Sequence, residues 1–136
     1  MLFRSNVVHL HGSLFESRST GDETLVYPIQ GWELNWGDMC EKGFQLRPNI
    51  VWFGELVPMI EVAADYASQA DIFLVVGTSM VVYPAAGLIN YVRYDVPKFV
   101  VDPKLPDINY IRNLEMIQDK ASTGLARLKP KLLELS

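Results

Sequence analysis

The stretch "DIFLVVGTSMVVYPAAGLINYVRYDVPKFVVD", residues 71–102, limits the folds open to this chain more than any other. Ile72 to Val76 is a continuous β-branched and aromatic run, the composition of a strand buried on both faces in a parallel sheet. Gly77 ends it with a turn. Pro84 stands where a helix begins, a position its fixed φ suits. "AAGLINYVRY" supplies that helix, and "KFVVD" returns as a strand. Strand, turn, helix and strand within about thirty residues make a βαβ unit, whose crossover is right-handed. The architecture to expect is α/β with a mostly parallel sheet.

The flanks extend that frame. "NIVWFGE" is a second apolar run, cut off at Gly54. The Ala-rich "VPMIEVAADYASQA" follows, with Ile60, Ala63, Ala64 and Ala67 at helical spacing. Asn6 to Leu10 reads as a further strand, ended by Gly12. Towards the C-terminus, "DINYIRNL" reads as a short helix and "EMIQDK" as a short strand. "STGLARLKPKLLEL" closes the chain as a helix, with Pro130 expected to kink or interrupt it near Ala126.

Residues 16–48 have a different character, rich in Gly, Asp, Asn, Ser and Thr, with Tyr27, Trp32, Trp36 and Phe44 scattered among them. They read as a loop-built insertion around a small aromatic cluster. A structureless loop of this length is unusual, so a compact subdomain is expected. The remaining residues, 1–15 and 49–136, then form one sheet-based domain.

A chain of 136 residues has room for one domain with a real core. The net charge of −4, with no basic run interleaved with aromatics, argues against nucleic acid or anionic membrane as a partner. No apolar stretch approaches the ~20 residues of a membrane span. Polar Ser5-Asn6 follows Met1 too closely for a signal peptide. The single Cys40 excludes an internal disulfide and a cysteine-built zinc site. A reducing, cytoplasmic setting is the expectation.

Open parallel sheets bind ligands beyond the carboxyl ends of their strands. His11-Gly12, Phe53-Gly54-Glu55 and Gly77-Thr78-Ser79 all fall there on this reading. The two histidines of "VVHLHGSLF" stand two apart, which on a strand gives them one face. A metal site would need further ligands, and the nearest acids, Glu16 and Asp22, lie in the loop region. At a strand end before glycine, His11 suits a general base, its ordinary pKa being close to neutral.

Other candidates each carry a plainer alternative. Gly77 permits a sharp turn and close ligand approach, with Thr78 and Ser79 able to bond a phosphate or ribose. The same trio is common for helix capping alone. Glu55 is an acid/base or a loop carboxylate. Asp102, at the tip of "FVVD", is either the acid that binds a ribose hydroxyl in nucleotide folds or a turn residue before Pro103. Cys40 has only Lys42 as a basic neighbour, a poor setting for a reactive thiol.

Taken together, "HLHGSL", "LRPNIVWFGE", "VVGTSMVVYPAAGL" and "VVD" resemble the sirtuins, the NAD-consuming protein-lysine deacylases. Their order and spacing match that family from its catalytic histidine to its C-terminus, over nearly the whole chain from Asn6. The fold this implies is part of a Rossmann-like NAD-binding domain. The resemblance makes His11 the catalytic base and His9 a bystander. It places Gly77, Thr78 and Ser79 against NAD phosphates and ribose, and Ala121 of "DKAS" along the adenine. Asp102 takes the place of an adenosine-ribose-binding Asn in many members. Val51, Phe53, Gly54 and Glu55, with Val82 and Tyr83, correspond to loops that clamp an acyl-lysine peptide by strand addition.

The chemistry so implied is specific. The acyl oxygen attacks C1′ of the nicotinamide ribose and nicotinamide leaves. His11 takes a proton from a ribose hydroxyl, whose oxygen attacks the imidate; lysine leaves as the free amine and water adds to give O-acyl-ADP-ribose. An ADP-ribosyltransferase outcome would use the same site. A reading of another class is a non-catalytic module that binds a nucleotide or a partner.

Two departures from the family stand out. Many sirtuins carry two Cys-x-x-Cys pairs, whereas Ser19-Thr20 stands where the first would begin and Cys40 is the one survivor. A structural zinc needs four ligands, so the 16–48 subdomain is expected to be metal-free, held by aromatics and hydrogen bonds. The family's "GAGxS" phosphate loop and Gln-Asn-x-Asp nicotinamide site have no counterpart here. The expectation is a C-terminal portion, inactive alone and prone to self-association through exposed sheet surface.

Overall fold

The computed structural model describes residues 6–135. They form two compact units, the first ending at Met59 and the second beginning at Ile60.

The first unit is built on three antiparallel strands: β1 (Gly12–Ser19), β2 (Val26–Pro28) and β3 (Leu46–Ile50), in the order β2-β1-β3. This corrects the expected run of strand and loop. Residues 6–10 form no strand; the Gly12 amide donates to the His9 carbonyl (3.1 Å), closing a turn from which β1 starts. "LRPNI" pairs antiparallel to β1, not in the parallel sheet. The polar text of β1 hid it, because its inward residues are serines: Ser17 and Ser19 are only 2% and 1% exposed. Their hydroxyls can be buried because they are bonded. Ser19 Oγ accepts from the Gly21 and Asp22 amides (3.2 Å each) and from Cys40 Sγ (3.3 Å).

The expected aromatic cluster does not form, since Trp32 and Trp36 are 88% and 94% exposed. The loop carrying them is organised by one side chain instead. Gln45 Oε1 accepts from the Gly37 amide (2.8 Å), while its Nε2 donates to the carbonyls of Asn35, Asp38 and Leu46 (3.0, 3.1 and 3.0 Å). A primary amide can do this because it carries both a donor and an acceptor. Phe44, 45% exposed, lies over Gly21, where a Cβ would fall 2.4 Å from its ring.

The second unit contains α1 (Ile60–Ser68), β4 (Phe73–Val76), a 3₁₀ helix (Ala85–Tyr91), β5 (Lys98–Val101), β6 (Leu114–Ile117) and α2 (Ala121–Leu135). The strands form a parallel sheet in the order β4-β5-β6, with Val76 beside Val101 and Val101 beside Ile117. This is the βαβ frame expected from residues 71–102. Its crossover is 3₁₀ because the buried positions, Ala86, Ile89 and Val92, recur every third residue.

The strand buried on both faces is β5, not β4, whose Leu74 is 38% exposed. β5 lies between the other two, with Val100 against Ile89 and Ile108 on one side and Phe99 and Val101 against Leu128 on the other. Each such side chain contributes about 1.5–3 kcal/mol on burial. α2 approaches so closely that a Cβ on Gly124 would lie 2.4 Å from Val101 Cγ1. It runs through Pro130 without the interruption that was one of the two expected outcomes. Pro130 and Ala126 are both exposed, so water can take the carbonyl that the missing N–H leaves open. Residues 107–113 form turns, not the expected helix. No helix among the described residues is long and apolar enough to cross a membrane.

Candidate functional site

In the first unit the backbone joins His11 to the segment expected to meet a peptide. The Val51 amide donates to the His11 carbonyl (3.0 Å), one step beyond the Gly12–Ile50 pair. Gly12 makes that junction possible: its φ is +83°, and a Cβ there would lie 2.0 Å from the Asn49 carbonyl oxygen. His11 is exposed. His9, with Glu16, Arg18, Asn49 and Val51, lines a cavity of about 540 Å³ from which the His11 side chain is absent. The two histidines flank a turn, so strand alternation does not govern them.

Beyond Val51 the chain makes a tight turn, closed by the Glu55 amide on the Trp52 carbonyl (3.1 Å) and by Gly54 at φ +90°. Phe53 at its tip is 94% exposed. Glu55 is the key to this turn. The β1–β3 register sets Arg18 opposite Arg47, a like-charge pair that repels across a ladder. Glu55 answers both. It accepts from Arg47 Nη1 (2.6 Å) and Nη2 (3.2 Å), lies 3.6 Å from Arg18 Nη2, and accepts from the Trp52 amide (3.0 Å).

The Arg47 guanidinium first, then the Trp52 amide, hold the Glu55 carboxyl down from 4.5 to about 2. These contacts favour the loop-carboxylate alternative, an anion held between two arginines. A carboxylate depressed by folding stabilises above its unfolded pKa and loses that contribution as pH falls. Glu55→Gln should lower the urea midpoint at pH 7, and the gap to wild type should close as pH drops from 4.5 towards about 2. A gap independent of pH in that window would overturn this role.

In the second unit the other candidates gather at the carboxyl edge of the parallel sheet. Gly77 follows β4 with φ +67°; its amide donates to the Val101 carbonyl (3.0 Å), and nothing lies within 4 Å of where a Cβ would be. Thr78 Oγ1 accepts from the Met80 amide (3.2 Å), and Met80 holds a left-handed φ of +53°. Val82 and Tyr83 are exposed, and the Val82 carbonyl accepts from the Ala86 amide (2.9 Å) as the 3₁₀ helix begins. Asp102, 9% exposed, ends β5; its Oδ1 accepts from the Lys104 amide (2.7 Å), so the turn role is real. Ala121 is the exposed first residue of α2 after β6.

Thus Gly77, Asp102 and Ala121 follow three adjacent parallel strands, the place where such sheets receive nucleotides. The open space at Gly77 suits close approach of a phosphate or ribose. The position expected for His11 and for Phe53–Glu55, at parallel strand ends, is not found: both belong to the antiparallel unit. Arg18, Arg47 and Gln45 went unnoticed in the sequence. Opposite charges at the two ends of "RPNIVWFGE", Arg47 and Glu55, were the visible sign. Among the described residues no three His, Cys, Asp or Glu side chains cluster as a metal site.

Comparison with known proteins agrees with these features. A model of the Sir2 family matches residues 3–84. An NAD-dependent protein deacylase of Bacteroides thetaiotaomicron is 42% identical over 134 residues, spanning 95% of this chain and 57% of the relative. One from Helicobacter pylori (strain ATCC 700392 / 26695) is 40% identical over 134 residues, spanning 97% and 57%. Among solved structures, a mutant Sir2 homologue in complex with ADP-ribose superposes with a TM-score of 0.76 at 32% identity, covering 96% of this chain and 55% of that one. Sir2Tm bound to a propionylated peptide gives 0.73 at 25% identity, covering 98% and 59%. The chain thus spans little more than half the length of these relatives.

Proposed function

From the premise that this chain belongs to the Sir2 family, we propose that it forms the catalytic-histidine portion of an NAD-dependent protein-lysine deacylase. The observation that carries this is the hydrogen bond between the His11 carbonyl and the Val51 amide (3.0 Å). It sets the candidate base beside the segment that would meet the acyl-lysine peptide. His11 takes the proton from a ribose hydroxyl of the alkylimidate, and Val51, Phe53 and Gly54 receive the peptide. Glu55 acts indirectly, by shaping the turn. NAD is consumed as co-substrate: Gly77, Thr78 and Ser79 take its phosphates and ribose, Asp102 accepts from an adenosine-ribose hydroxyl, and Ala121 borders the adenine. Residues 1–15 and 49–136 serve NAD binding in this reading, and 16–48 are an inserted module.

That module holds together without zinc. The position where the family has its first cysteine pair offers Ser19 Oγ, 3.3 Å from Cys40 Sγ, and one thiol with one hydroxyl is not a zinc donor set. The Ser19 and Gln45 hydrogen bonds and the contact of Phe44 with Gly21 supply the order instead. Dialysis against EDTA should therefore leave the Tm unchanged; a fall reversed by zinc would overturn this.

The relatives' additional length carries weight for turnover. Leu14, Phe15 and Leu56, at 70%, 82% and 90% exposure, leave apolar surface uncovered in the first unit, and such surface favours association. The test is nicotinamide release from NAD with an acetyl-lysine peptide, together with elution volume. The 136-residue chain should be inactive and oligomeric alone. It should become active when mixed with a polypeptide covering the N-terminal part of a relative. Activity from a monomeric chain would overturn the requirement for that part. A bound but inactive mixture would overturn the deacylase reading in favour of a binding module.

A further inference from the structure

The two tryptophans that fail to enter a core point to a second surface. Residues 30–41, "QGWELNWGDMCE", carry three carboxylates and no lysine or arginine. Trp32, Trp36 and Met39 are 88%, 94% and 54% exposed within this segment. Exposed tryptophans in a floppy loop would mean little, but this loop is held. Asp38 Oδ2 accepts from the Asn35 amide (2.7 Å), the Asp38 amide donates to the Asn35 carbonyl (3.2 Å), and Gln45 binds Asn35, Gly37 and Asp38. The fold thus devotes a whole amide side chain to presenting two indoles to solvent. Beside them runs a groove of about 420 Å³, lined by Tyr27, Ile29, Glu33, Leu34, Asp38 and Met39.

We propose that this loop and groove dock a lysine- or arginine-bearing segment of a partner protein. Indole faces attract cations, and tryptophan is a frequent anchor of binding energy when its loop is ordered beforehand. Glu33, Asp38 and Glu41 supply the complementary charge, which draws in a cationic segment and repels an acidic one. Among the described residues none of the three is in a salt bridge: the next cation, Lys42, has its Nζ on Asp22 at 2.7 Å. Glu41 accepts from the Tyr27 hydroxyl, and that bond holds its carboxyl in the ionised form. This surface uses none of the residues assigned to the deacylation, so it stands or falls independently of that reading.

The experiment is fluorescence anisotropy with the complete chain and labelled peptides of equal length: arginine/lysine-rich, glutamate-rich and glycine/serine only. None carries an acyl-lysine, and NAD is omitted. The cationic peptide alone should bind, more weakly as salt rises from about 50 to about 500 mM. The double substitution Trp32→Ala, Trp36→Ala should weaken binding about tenfold. Both side chains are exposed, so circular dichroism should be unchanged. Glu33→Lys is an independent handle that leaves the indoles in place; it should weaken binding and flatten the salt dependence. Equal binding of cationic and neutral peptides, or undiminished affinity in both variants, would overturn the proposal. So would an oligomer that the tryptophan substitutions convert to monomer, because a second copy of the chain would then be the occupant.

Discussion

Replacing His11 by alanine should lower NAD-dependent deacylation, read as formation of the free-lysine peptide, by about 10²–10⁴-fold, the usual contribution of a positioned general base. The assay is the one in which turnover is reconstituted with the N-terminal part of a relative. The ring is exposed and packs into no core cluster, so the urea midpoint should stay at the wild-type value. Its backbone carbonyl, which holds Val51, is untouched by the substitution. His9→Ala supplies the contrast. It removes a side chain from the wall of the 540 Å³ cavity and none from the proposed chemistry, so turnover should remain within about threefold of wild type. Equal losses from the two substitutions, or retained activity in His11→Ala, would remove His11 from the role of base.

Gly12→Ala should be the most damaging single change to the fold of the first unit. Two penalties combine. At φ +83° the alanine sits in the left-handed region, and its Cβ would lie 2.0 Å from the Asn49 carbonyl oxygen, a backbone atom that cannot swing aside. Together these should cost about 3 kcal/mol or more. The Gly12–Ile50 pair and the adjoining bond from Val51 to His11 would open with it. Gly54→Ala separates the two terms, for Gly54 has φ +90° and nothing within 4 Å of its Cβ position. It should cost only about 1 kcal/mol, the conformational part. Similar urea-midpoint losses in the two variants would show that the clash at Asn49 is relieved by movement.

Several elements were legible because one local signal controls each. The run from Ile72 to Val76, the turn at Gly77 and the return at "KFVVD" announce parallel strands, since continuous β-branched runs have few other homes. Asp102 and Gly77 followed from that frame, as the ends of adjacent strands. The 3₁₀ character of Ala85–Tyr91 was also present in the text, as apolar residues at every third position, but a helical composition masked it.

The first unit was misread for a physical reason. A strand is recognised by alternation of apolar and polar residues, and β1 buries hydroxyls instead. Ser17 and Ser19 count as polar in any pattern, yet their hydrogen bonds let them sit inside. Likewise Trp32 and Trp36 look like core residues by composition, while Gln45 turns their loop outward.

The sequence by itself determined the α/β class, the βαβ unit, the family resemblance and the identity of the candidate base, because each is written in contiguous residues or in their order. The tertiary structure alone decided what the charges and hydroxyls do. Arg18 and Arg47 are far apart in the chain and become neighbours only through strand register, which turns Glu55 from a candidate acid into the anion that holds them together. Ser19 meets Cys40 in the same way, by the folding of the loop between them. Pairings of this kind depend on register and hydrogen-bond closure, and neither is encoded in the local periodicity of a chain.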